Sequence, residues 1–140
     1  MANLLGRSIF RSASMRAGSS ADAGRFVAHE ALRDSQGEMI SDGIAALGAG
    51  GFLLAAAPTG IGKTAAALAA AVEVSRSSAD PPVVMFLTGR QSQHRIVVDT
   101  VRKINERLGP EVPKVRLVDL IGQQGMCINE IRHEHRALFS

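Results

Sequence analysis

The sequence predicts an α/β protein, a parallel sheet with flanking helices, on three observations. Short apolar runs alternate with stretches of helical pattern along the chain. The runs lack the polar alternation of a half-exposed strand, so they read as strands buried on both faces. A glycine-rich turn joins the first run to the helix that follows it. Strands alternating with helices imply parallel pairing through right-handed crossovers.

The elements follow in order. "DSQGEMISDGIAALGAGG" reads as a helix that Asp34 or Ser35 caps. Ile40, Ile44 and Leu47 recur in it at helical spacing, and Gly48, Gly50 and Gly51 end it. "FLLAAA", residues 52–57, is the first predicted strand. "KTAAALAAAVEVSRSS" is built mostly of strong helix formers and fades into serines. Asp80-Pro81-Pro82 is a loop, and "VVMFL", residues 83–87, is the second predicted strand. "SQHRIVVDTVRKINERL" places Val97, Val101, Ile104 and Leu108 on one helical stripe, which Gly109-Pro110 stops. "VRLVDL", residues 115–120, is the third predicted strand, and the pattern weakens after Leu120.

Composition bounds the function. A chain of 140 residues is one domain or part of one. Its 46% hydrophobic and 21% charged content fits a globular protein. A net charge of +3 and a pI of about 9.8 are compatible with nucleic acid without requiring it. No window is apolar for the roughly 18 residues a membrane span needs, so no membrane association is expected. One cysteine excludes an internal disulfide and fits a reducing compartment, hence an intracellular protein of cytoplasm or nucleus. Residues 1–28 differ from the rest. They begin with Arg7, Arg11, Arg16 and several serines, and no acid precedes Asp22. They read as a basic tail, with an organelle transit peptide as the alternative.

The turn "APTGIGKT", Ala57 to Thr64, carries the chemistry. A triphosphate needs several backbone N–H groups converging on one concavity, which demands glycines at Gly60 and Gly62. A helix that starts at the site adds its unbonded N–H groups and the positive end of its dipole. Lys63 can reach the β- and γ-phosphates, and the Thr64 hydroxyl can join the coordination of Mg²⁺. The phosphate cradle thus comprises Ala57, Pro58, Thr59, Gly60, Ile61, Gly62, Lys63 and Thr64, with Lys63 and Thr64 as the chemical pair. The strict pattern G-x-x-x-x-G-K-S/T is not met, because Ala57 stands first. The core T-G-x-G-K-T is intact, and by ordinary residue frequencies it arises by chance in about one chain in a thousand of this length.

With Ala first, this turn resembles motif I of superfamily 2 helicases, and three further stretches are similar to the iron–sulfur DNA helicases of the XPD (xeroderma pigmentosum group D) type. "LRDSQGEMI" resembles the segment upstream of motif I, and the resemblance implies that Arg33 and Gln36 join the nucleotide site, with Gln36 reading the adenine edge. "FLTGRQSQHRIVVDTVR" is similar to motif Ia. Thr88, Arg90, Ser92, Gln93 and His94 crowd hydrogen-bond donors at a helix start, a place suited to the phosphates of single-stranded DNA. Helix capping by Ser92 is the plainer reading of the same stretch. "DLIGQQGMCINE" resembles the place where that family sets the first cysteine of a 4Fe–4S cluster, which would be Cys127. A single cysteine is more often a small buried hydrophobe, and the three partner cysteines are absent. A Cys/His metal site with His133 and His135 has no familiar zinc spacing.

The resemblance implies an incomplete RecA-like P-loop NTPase domain over residues 29–126, with 127–140 starting a truncated iron–sulfur insertion. It covers about Arg33 to Asn129 and only the front of the family pattern. No acidic Walker B motif follows, so Mg²⁺ lacks its usual carboxylate and water its base. The expectation is an N-terminal piece of an ATP-dependent DNA helicase whose remaining domains lie downstream. The 140 residues would bind ATP and Mg²⁺ weakly and turn over nothing useful. Two alternatives are a non-helicase P-loop NTPase or kinase, and a non-catalytic module whose binding depends on nucleotide.

Overall fold

The computed structural model describes residues 24–33 and 35–122. Three helices organise them: α1 (Gln36–Gly48), α2 (Lys63–Ser77) and α3 (Gln91–Arg107). α2 packs against both of the others, and more extensively against α1. Its alanine-rich sequence explains how. Ala65, Leu68 and Val72 form one stripe at helical spacing, and they join Val97, Val101, Ile104 and Leu108 of the α3 region in one apolar cluster. Ala66, Ala69 and Ala70 form a second stripe, which meets Ile40, Met39 and Ile44 of α1. Small side chains on both sides let α1 come close. A Cβ built on buried Gly43 of α1 would lie 2.8 Å from the Ala70 Cβ.

Residues 24–28 are drawn into the same core. Phe26 and Ala28 enter the α2–α3 cluster, and Val27 enters the α1–α2 cluster. All three are buried, although composition places them with the N-terminal tail. The Glu73 carboxylate on α2 accepts the Arg25 N–H at 2.8 Å and so fixes the start of this segment.

Helix ends are handled by backbone and side chain alike. α1 closes with Gly50 at φ +69°, Gly50 N donating to Leu47 O at 3.0 Å and Gly51 N to Ala46 O at 2.8 Å. That is the paired bond pattern of a glycine-terminated helix, and it accounts for the run of glycines. The last carbonyls of the α3 region, those of Asn105 and Leu108, accept from Lys114 Nζ at 2.6 and 2.8 Å. The Asn105 side chain accepts the Val115 N–H at 2.7 Å and donates to the Val115 carbonyl at 2.9 Å. It serves as a one-residue backbone partner for an extended segment.

The predicted parallel sheet is not there. Among the described residues no strand is formed, and the segments 52–57, 83–87 and 115–120 run without a backbone ladder. The incomplete RecA-like domain falls with the sheet. Every residue of these segments is exposed except Ala57 and Val115, which are half-buried. Exposure along Val83, Val84, Met85, Phe86 and Leu87 runs 92, 40, 76, 37 and 82%. The period of two is that of extended chain with alternate side chains turned outward. Leu53 is 40% exposed, against 74% for Phe52 and 87% for Leu54, and its Cδ2 lies 3.8 Å from a Cβ built on Gly43. An apolar run records a demand for burial. A strand also needs a neighbour for its N–H and C=O groups, and no property of the run names that neighbour.

Smaller differences concern α1. Of the two expected capping residues, Ser35 takes the N-cap position at φ +62° with no side-chain cap bond, and Asp34 lies outside the described residues. The buried stripe runs Gln36, Ile40, Gly43, while Leu47 is exposed. α2 and α3 match the sequence prediction, and all four residues of the expected α3 stripe are buried. Among the described residues no helix is long and apolar enough to cross a membrane.

Candidate functional site

Residues 57–64 form a turn that runs straight into α2. Gly60 stands at φ +90° and Gly62 at φ +83°, in the left-handed region that L side chains rarely adopt. Gly62 is the N-cap of α2, so Lys63 and Thr64 occupy its first turn. The N–H groups of that turn have no carbonyl one turn back to bond, which leaves donors and a positive dipole end facing the loop. The N-cap residue, Gly62, has no side chain with which to cap this end.

Lys63 folds back over the turn. Its Nζ donates to the Ala57 carbonyl at 2.9 Å and to the Pro58 carbonyl at 2.7 Å. The ammonium is thereby held against the start of the turn. Thr64 and Ile61 are half-buried, and Thr59 and Gly60 form the exposed tip of the turn.

The segment before α1 binds the later carbonyls of the turn. Arg33 Nη1 donates to the Gly60 carbonyl, and Gln36 Nε2 donates to the Gly62 carbonyl at 3.2 Å. Gln36 Oε1 accepts the backbone N–H of Arg33 at 3.1 Å, and Gln36 N donates to Arg33 O at 3.0 Å. Gln36 is 3% exposed. The structure therefore brings Arg33 and Gln36 to the glycine turn, 26 to 27 residues along the chain from their partners. His29 lies in the same region. Desolvation lowers its pKa from the ordinary 6.5, and the cations Lys103, Arg33 and Arg107 lower it further.

The second group of candidate residues gathers at the start of α3. Arg90 is the N-cap, in extended conformation and without a side-chain cap bond, so Ser92 does not cap this helix. Arg90 N donates to Thr88 Oγ1 at 3.3 Å. Arg90 and Ser92 are exposed, and Thr88, Gln93 and His94 are half-buried. His94 Nδ1 lies 2.5 Å from Asp119 Oδ1. Asp119 is a partner that sequence reasoning missed, because 25 residues separate the pair and no spacing rule links them. Cys127, His133 and His135 lie outside the described residues. Among the described residues no group of three or more His, Cys, Asp or Glu side chains could hold a metal ion.

Comparison with known protein families, with characterised proteins and with solved structures gives no match to this chain.

Proposed function

We propose that the chain binds the phosphates of ATP with Mg²⁺ at the 57–64 turn, and that it is the nucleotide-binding front of an ATP-dependent, DNA-translocating helicase. One observation carries the nucleotide reading: two positive-φ glycines lead into an uncapped helix start while the Lys63 ammonium folds over the same turn. Lys63 exchanges two neutral carbonyls for phosphate oxygens. Hydrogen bonds between two ions are roughly twice as strong as those with a neutral partner, so the exchange favours the bound state. Gly60 leaves open the space where a Cβ would stand, and the Thr64 hydroxyl supplies a ligand to phosphate-bound Mg²⁺. Single-stranded DNA is assigned to Thr88, Arg90, Ser92, Gln93 and His94. Its support is the resemblance together with the exposure of Arg90 and Ser92 at the start of α3.

Lys63→Ala tests the nucleotide reading. It removes a cation that would make two charged contacts, about 3 kcal/mol in all, which is on the order of a hundredfold in Kd. Titration of the chain and the variant with a fluorescent ATP analogue reads the change. Equal affinity would remove the phosphate assignment.

A further inference from the structure

We infer that Gln36 and Arg33 form a strap that holds the phosphate turn in its receptive shape from behind, so that the site selects for the phosphate chain and makes no demand on the base. The inference rests on the phosphate site proposed above and departs from the adenine-reading assignment that the resemblance implies for Gln36.

The reason is hydrogen-bond accounting on one side chain. The Gln36 amide offers an acceptor oxygen and a donor nitrogen. The oxygen is engaged by Arg33 N–H and the nitrogen by the Gly62 carbonyl, and the residue is almost wholly buried. A second N–H and a second oxygen lone pair remain, but at 3% exposure a base reaches them only if the side chain swings out, leaving both partners and exposing two backbone groups for bonds of the same number and kind. No net gain results. Packing supports the same reading, because a Cβ on Gly62 would lie 2.6 Å from Gln36 Nε2. The amide therefore sits directly against the N-cap of α2. Arg33 holds the Gly60 carbonyl from the same short segment, so both positive-φ glycines are tied to one anchor. Between the two strap residues, Ser35 is held at φ +62°, a strained conformation for a residue with a Cβ. Such strain persists where the surroundings over-determine it.

Arg33 and Gln36 are thus positioning residues. Three ligands separate the alternatives: inorganic tripolyphosphate, ATP and GTP, each titrated with Mg²⁺ against the 140-residue chain. Gln36→Ala is expected to weaken all three by the same factor, about tenfold. Gln36→Glu keeps the length and the acceptor for Arg33 N–H but sets a carboxylate against the Gly62 carbonyl, and it is expected to weaken all three as well. A base reader behaves otherwise: tripolyphosphate affinity stays unchanged, ATP weakens toward it, and any preference for ATP over GTP disappears. That pattern overturns the strap while leaving the phosphate site standing. The ligand-free amide resonances give an independent reading. In both variants those of Gly60 and Gly62 should shift while those of Val101 and Ile104, in the other core cluster, stay in place. If Lys63→Ala binds as the parent does, the phosphate site is wrong, and the strap is then judged on these resonances alone. Unmoved Gly60 and Gly62 signals would sink it.

Discussion

Arg90 is the residue on which the DNA assignment turns. It is exposed, it begins α3, and its backbone N–H is tied to Thr88. His94 stands differently, because Asp119 engages its ring and half-buries it. A DNA strand would have to compete with that carboxylate for the imidazole, whereas Arg90 is open to phosphate oxygens. Arg90→Ala is therefore expected to weaken single-stranded DNA binding and to lower the slope of log K against log salt by about 0.7, the loss of one phosphate contact. Fluorescence anisotropy with a labelled oligonucleotide across a salt series measures both. An unchanged slope takes Arg90 off the DNA path. The five candidates in "TGRQSQH" were legible as donors near a helix start. Their division into free and engaged side chains was not, since Asp119 arrives from a distant segment.

Among the elements, α2 is the one the sequence described best, and it is the one everything else is built against. Its composition marks it as a helix, and its two small-residue stripes explain why helices can lie on two of its sides. The limit on its approach to α1 is Gly43. Gly43→Ala gains up to about 1 kcal/mol of helix propensity. The added methyl would stand 2.8 Å from the Ala70 Cβ, and such overpacking costs about 1–3 kcal/mol. The expected result is a net loss near 1 kcal/mol, read as a lower midpoint in urea unfolding. A higher midpoint would mean that α1 and α2 do not pack this closely. The α1 stripe itself was misjudged by one position. Apolar residues alone pointed to Leu47, whereas burial follows Gln36, Ile40 and Gly43. A polar amide and a glycine carry no hydrophobic signal, so their inward position is invisible to a pattern built on one.

At the scale of the whole molecule, the dominant fact is apolar surface. Phe52, Leu54, Val83, Met85, Leu87 and Val118 each lie more than 70% exposed, on the three apolar segments that form no sheet. Exposed apolar groups at this density drive association and dye binding. We expect the chain to self-associate as concentration rises. The triple variant Leu54→Lys, Met85→Lys, Val118→Lys should stay monodisperse under the same conditions, with stability close to the parent, because substitutions at exposed positions cost within about 0.5 kcal/mol each. Sedimentation velocity across a concentration series, with circular dichroism of both proteins, decides it. Unfolding of the variant would show that these side chains are not at the surface.

Local physics was enough for the sequence to determine the helices α2 and α3, the α3 stripe, and the glycine turn with its lysine. Helix propensity, a 3.6-residue period and the backbone freedom of glycine all act within a few residues of each other. Tertiary structure alone decided three matters. Phe26, Val27 and Ala28 belong to the core, Gln36 and Arg33 bond to the turn instead of standing open, and the apolar runs stay largely exposed without pairing into a sheet. Each depends on a partner far along the chain. A residue's own composition states what it can bond or bury, and only the folded chain brings the group that accepts the offer.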